Sequence, residues 1–130
     1  MKNILIIDDD LDTLLKYKKW LKGEKEEELK LTLVNNPKVA EQKFKPGKYD
    51  LVLIGYRMSA MDGFDLYDRL LDISKRVKHT PGKQFKICFM TSSRINYKAL
   101  AEIHPEFGEE CYVCKKVEKD IFINHINSLI

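Results

Sequence analysis

Short, predominantly apolar runs constrain this chain more than any other feature. Asn3 to Ile7, Leu51 to Ile54 and Phe85 to Met90 are each too short for a buried helix, and they lack the alternation of a strand with one wet face. Such runs belong to strands covered on both sides, and a sheet covered on both sides is usually parallel and wrapped by helices. The stretches between them have the helical period. Leu11 to Lys22 sets Leu11, Leu14, Leu15, Lys18 and Leu21 along one stripe behind a candidate N-cap, Asp10.

The alternation continues to the end of the chain. Leu29 to Val34 reads as a strand, and Pro37 to Phe44 as a helix opened by proline. Gly63 to Val77 reads as a helix with Phe64, Leu66, Tyr67, Leu70, Leu71 and Ile73 on a wide apolar face. A polar stretch with Pro81-Gly82-Lys83 is a turn; it lacks phosphate-loop spacing and precedes a strand, not a helix. Arg94 to Ile103 is a shorter helix and Cys111 to Cys114 the fifth strand. Glu118 to Ile130 closes the chain as a helix with Ile121, Phe122, His125, Ile126 and Leu129 inward. Five strands joined by right-handed helical crossovers place chemistry just after the strands, at their carboxyl ends.

The length of 130 residues fits one domain with a five-stranded core, and a single domain without an output domain is expected. A net charge of +3 is too small to argue for or against nucleic acid, and GEKEEELK (residues 23–30) reads as a solvated helix end. No run is long enough to span a bilayer and MKNILIIDDD turns acidic too early for a secretory signal, so a cytoplasmic location is expected. Cys88, Cys111 and Cys114 are odd in number, as suits a reducing compartment. If 111–114 is a strand, Cys111 and Cys114 point to opposite faces and share no metal, so the cysteines read as structural. His79, His104 and His125 fall on separate elements and form no triad, and Trp20 reads as half-buried packing.

The segment DLVLIGYRMSAMDG (residues 50–63) resembles the receiver domain of bacterial response regulators, where the third strand ends in a phosphorylated aspartate followed by x-R-M-P-x-M-D-G. Arg57, Met58, Met61, Asp62 and Gly63 fit that pattern; the aspartate position is Gly55 and the proline position Ser59. The resemblance covers the whole chain and implies a flavodoxin-like (βα)5 fold, a doubly wound parallel sheet of strand order 2-1-3-4-5. It also implies a residual site: Asp8 and Asp9 where the family holds magnesium, Thr91 beside the phosphoryl group with small Ser92 next to it, and Lys115 as the cation that meets phosphate. Tyr112 takes the place of the aromatic that swings between inward and outward positions.

Gly55 supplies neither the attacking oxygen of phosphoryl transfer nor a metal-binding carboxylate. What is left for magnesium is Asp8, Asp9 and the backbone carbonyl of Arg57, a weak or lost site. Relief of like-charge repulsion frees Lys115 to pair directly with Asp8 or Asp9. Ser59 in place of proline is expected to loosen the loop. Lys116, where the family has proline after a cis bond, implies a trans bond and a shifted Lys115, because a cis bond before a non-proline residue costs roughly 2.5 to 4 kcal/mol.

Three functions follow. The first is a phosphorylation-independent interaction and regulatory module in two-component-type signalling, not an enzyme and without a cofactor. Its protein partner, or a second copy in a homodimer, would dock on the fourth helix, fifth strand and fifth helix, around Arg94 to Leu100, Cys111 to Cys114 and Ile121 to Ile130. Any DNA-binding role would come through that partner. The second is phosphotransfer to a displaced acceptor, Asp8, Asp9, Ser59 or Tyr56. The third is an anion or small-ligand site lined by Thr91, Lys115 and the amides near Gly55.

Overall fold

The computed structural model describes residues 2–25, 29–76, 86–92, 96–105 and 107–130. The elements follow in strict alternation: β1 (Lys2–Ile7), α1 (Leu11–Lys25), β2 (Leu29–Val34), α2 (Pro37–Lys43), β3 (Leu51–Gly55), α3 (Gly63–Arg76), β4 (Lys86–Thr91), α4 (Asn96–Ile103), β5 (Tyr112–Cys114) and α5 (Lys119–Leu129). All strand pairs are parallel, in the order β2-β1-β3-β4-β5. This is the flavodoxin-like arrangement, and its central strand β3 is buried at all five residues.

Side chains alternate between the two faces of the sheet. Ile4, Ile6, Leu51, Leu53, Cys88, Met90 and Val113 pack against α1 and α5. Leu5, Ile7, Val52, Ile54, Ile87, Phe89 and Tyr112 pack against residues of α2, α3 and α4. Continuous apolar strands are therefore required, since every second residue serves a different layer.

Two helices are rotated relative to the stripes expected of them. On α1, Leu14, Tyr17 and Leu21 are buried, whereas Leu11 and Leu15 are 55% and 51% exposed and Lys18 is exposed. The five-residue stripe was wider than the contact, and Tyr17, stacked on Phe122 of α5 at 4.2 Å, sets the inward direction. On α5 the inward residues are Phe122, Ile123, Ile126 and Leu129; Ile121 is 51% exposed and His125 is partly exposed.

The fifth strand is shorter than expected. Glu109–Cys111 forms a 3₁₀ turn and only Tyr112–Cys114 enters the sheet, so the strand-alternation argument does not apply to Cys111. All three thiols are free, and burial pushes those of Cys88 and Cys111 upward in pKa, as expected of packing residues. Trp20 is half-buried against Tyr17 and Phe122. His104 stacks on Phe64 and His125 meets the carbonyl of Glu110 at 2.8 Å. His79 and the turn at 81–83 lie outside the described residues, as do Val77, Phe85 and Arg94.

Candidate functional site

The sheet order brings the carboxyl ends of β1, β3, β4 and β5 side by side, and the residues singled out in the sequence lie there. Asp8 follows β1 directly, its amide held by the carbonyl of Val34 at 3.1 Å. Asp8 is fully buried. Its Oδ1 accepts the amide of Asp10 at 2.9 Å, and its Oδ2 meets Lys115 Nζ at 2.6 Å. Lys115 follows β5, its amide bonded to the carbonyl of buried Thr91 at 2.7 Å and its side chain 19% exposed. The expected lysine–acid contact is present, and Asp8 is the acid. The backbone has no cis peptide among the described residues, so the Lys115–Lys116 bond is trans as expected.

Gly55 explains why Asp8 can sit where it does. A β-carbon placed on residue 55 would lie 3.0 Å from Asp8 Oδ2 and 3.1 Å from its Cγ. The carboxylate packs against a bare α-carbon, in space that any side chain at 55 would contest. Nearby, a β-carbon on Gly63 would fall 2.7 Å from the carbonyl oxygen of Gly55, while its amide bonds to the carbonyl of Tyr56 at 2.8 Å. Glycine is needed at 63 so that α3 can start this close to the end of β3. Asp62 Oδ1 caps the first turn by accepting the amide of Asp65 at 2.9 Å.

Asp9 faces outward. Its Oδ2 accepts both the amide of Ser59 at 2.6 Å and its hydroxyl at 2.8 Å. Ser59 thus ties the β3–α3 loop to the end of β1, contrary to the looser loop expected from the missing proline. Proline has no N–H to give, whereas serine offers two donors to one carboxylate. Burial alone would raise the Asp9 pKa, but the Ser59 amide and hydroxyl, with the charge of Lys115, bring it below the ordinary value. Asp10 caps α1, accepting the amide of Asp12 at 3.1 Å and the hydroxyl of Thr13 at 2.7 Å, chiefly the latter holding its pKa low.

Two residues of α1 join the site that the sequence did not mark. Tyr17 is fully buried, its hydroxyl has no hydrogen-bond partner among the described residues, and its pKa is raised by burial and then by the charges of Asp8 and Cys114. Lys16 Nζ donates to the carbonyl of Lys115 at 2.9 Å. A stripe of lysines and leucines carries no signal for a partner 99 positions away. Tyr112 is fully buried, with its ring 6.0 Å from that of Phe89. Tyr56 is half-buried, edge-on to Phe64.

Magnesium needs several oxygen ligands in near-octahedral array. Here Asp8 is engaged by Lys115, Asp9 by Ser59, and no cluster of three or more metal-capable side chains occurs among the described residues. This donor arrangement does not fit that ion.

The sequence matches the family model of the response regulator receiver domain over residues 4–127. The chain belongs to that family. The receiver is also similar to solved structures at identities that speak for the fold alone. The non-phosphorylated HemR receiver domain from Leptospira biflexa superposes with a TM-score of 0.76 at 20% identity, covering 99% of this chain and 94% of that one. A two-component response regulator from Clostridium difficile gives 0.75 at 22%, covering 99% and 95%. The response regulator TrrA from Thermotoga maritima, in complex with Mg(2+)-BeF, gives 0.67 at 24% over the full length of both chains. No curated protein sequence matches the chain significantly. No helix among the described residues is long and apolar enough to cross a membrane.

Proposed function

We propose that this receiver acts in two-component-type signalling as an interaction and regulatory module that needs no phosphorylation. The observation that carries the reading is the Asp8–Lys115 pair packed over Gly55. The position that would bear the phosphoacceptor has no side chain, and the cation that would meet the phosphoryl group is already bonded to a buried carboxylate. On this reading the protein is not an enzyme and uses no metal, and a single conformation is set by internal contacts.

The displaced-acceptor alternative has less support. Asp8 is buried under Lys115, Asp9 Oδ2 and Ser59 are bonded to each other, and Tyr56 is half-buried against Phe64, so a phosphoryl group arriving at Asp8, Ser59 or Tyr56 would have to displace a contact the fold already makes, and Asp9 points away from the strand-end centre toward the loop. An anion site at Thr91 and Lys115 would have to compete with Asp8. The partner is a protein, in keeping with the exposed apolar residues Ile103 at the end of α4 and Ile121 on α5, and a homodimer on that face is the simplest form of it.

Incubation with acetyl phosphate and magnesium, followed by intact-protein and peptide mass spectrometry, tests the proposal. The expected outcome is no added phosphoryl group. An acid-stable, base-labile adduct on any aspartate, or a phosphoester on Ser59 or Tyr56, overturns it.

A further inference from the structure

The peptide unit of Lys115 is tied down from three directions. Its amide bonds to Thr91 on β4, its side chain pairs with Asp8 after β1, and its carbonyl accepts from Lys16 in the second turn of α1. The first two ties exist because of the sheet order. The third does not follow from the sheet order: it needs a helix to send a charged side chain to a backbone oxygen that any water could serve.

Lys16 is built for that task. Its stem is half-buried, and its ammonium lies 5.1 Å from the ring centre of Trp20 and 5.2 Å from that of Tyr17. Both rings pack on Phe122, one turn into α5, at 5.7 Å and 4.2 Å. Cation–ring attraction on one side and a charged hydrogen bond on the other hold the ammonium in one place. The helix that begins after the acid pair and the helix that follows the lysine are thereby clasped around the turn between them. That turn lacks a stiffening proline: residue 116 is lysine, and the backbone closes across it through a long hydrogen bond from the amide of Val117 to the carbonyl of Cys114 at 3.4 Å.

We infer that Lys16 is the positioning residue of the site: by fixing the carbonyl of Lys115, it holds the β5–α5 turn so that the Lys115 ammonium stays on Asp8. The inference rests on the reading above, in which one closed arrangement is set from within, and it names the contact that sets it.

The test is acylation of lysines in the intact protein under native conditions with a water-soluble acetylating ester, read residue by residue by mass spectrometry. Lys16→Met keeps the stem on the rings and removes the donor, and Lys16→Arg keeps a donor. The expected result is a rise on the order of tenfold in the Lys115 rate for Lys16→Met, the equilibrium weight of one charged hydrogen bond, with Lys2 and Lys86 unchanged and near wild-type rates in Lys16→Arg. An unchanged Lys115 rate, or an equal rise at Lys2 and Lys86, overturns the inference. If Lys16→Met does not fold, Trp20→Leu, which removes one of the supporting rings, decides by the same criterion: a selective rise at Lys115 supports it and no rise overturns it. Failure here is separable from failure of the functional reading, which acetyl phosphate tests on the unaltered protein.

Discussion

The inner and outer halves of the site use the same chemistry with very different consequences. Inside, Asp8 is fully buried and its charge is met by Lys115; outside, Asp9 is exposed and held by the amide and hydroxyl of Ser59. A buried carboxylate without its cation has nowhere to send its field, so the inner pair must be complete or absent. An exposed carboxylate can fall back on water, so the outer tether orders a loop without deciding whether the protein folds. Adjacent residues of one acidic triplet therefore act as a core element and as a surface latch.

The largest effect should come from Lys115→Met. It leaves Asp8 buried and unpaired, and a loss of about 3 to 5 kcal/mol is expected in urea denaturation, most of it recovered when Asp8→Asn is added. A loss no larger than that of a surface pair would mean that water reaches Asp8 and that the two halves are alike.

Next is Gly55→Asp. Its β-carbon meets Asp8 at 3.0 Å and its charge repels it, so about 2 kcal/mol should be lost without metal. Three carboxylates would then be clustered, and magnesium should raise the melting temperature of the variant by mass action while leaving the unaltered protein unchanged. Thermal melts with and without magnesium read both effects.

The outer half should respond less. Asp10→Ala removes the cap of α1 and should cost about 1 kcal/mol by denaturant midpoint. Ser59→Ala removes one of two donors to Asp9 and should cost roughly 0.5 kcal/mol. Because the Asp9 pKa is lowered in the folded protein, its contribution is fully present above the unfolded value near 3.8 and fades as pH falls through the folded value. The protection factor of the Ser59 amide, its NMR exchange rate divided into the intrinsic rate at each pH, should hold steady down to that range and fall only below it. A protection factor already lost near neutral pH would mean that the loop is not held by Asp9.

Much of this was legible along the chain because strand burial is written in local composition. Runs such as Leu51–Ile54 leave few alternatives to a two-faced parallel sheet, and the strand ends then collect Asp8, Thr91 and Lys115 without further information. Helix faces were less legible. Leu11 and Leu15 share a stripe with Leu14 and Leu21, and only the stacking of Tyr17 on Phe122 shows which edge turns inward. The loop was not legible, because the stiffness that proline would give comes instead from the serine N–H and hydroxyl, whose acceptor lies fifty residues away. Lys16 was unmarked because a lysine on a helix is ordinarily solvated.

The sequence by itself determined the receiver fold, the bare position at 55 and the freedom of Lys115 to turn to an acid. These follow from periodicity and from side-chain chemistry at strand ends, which are local properties. Only the tertiary structure decided that Asp8 and not Asp9 takes the lysine, that Ser59 fastens the loop, and that Lys16 reaches the turn before α5. Each of those depends on distances between segments far apart in the chain, where a difference of one side-chain length separates a bond from a solvated charge.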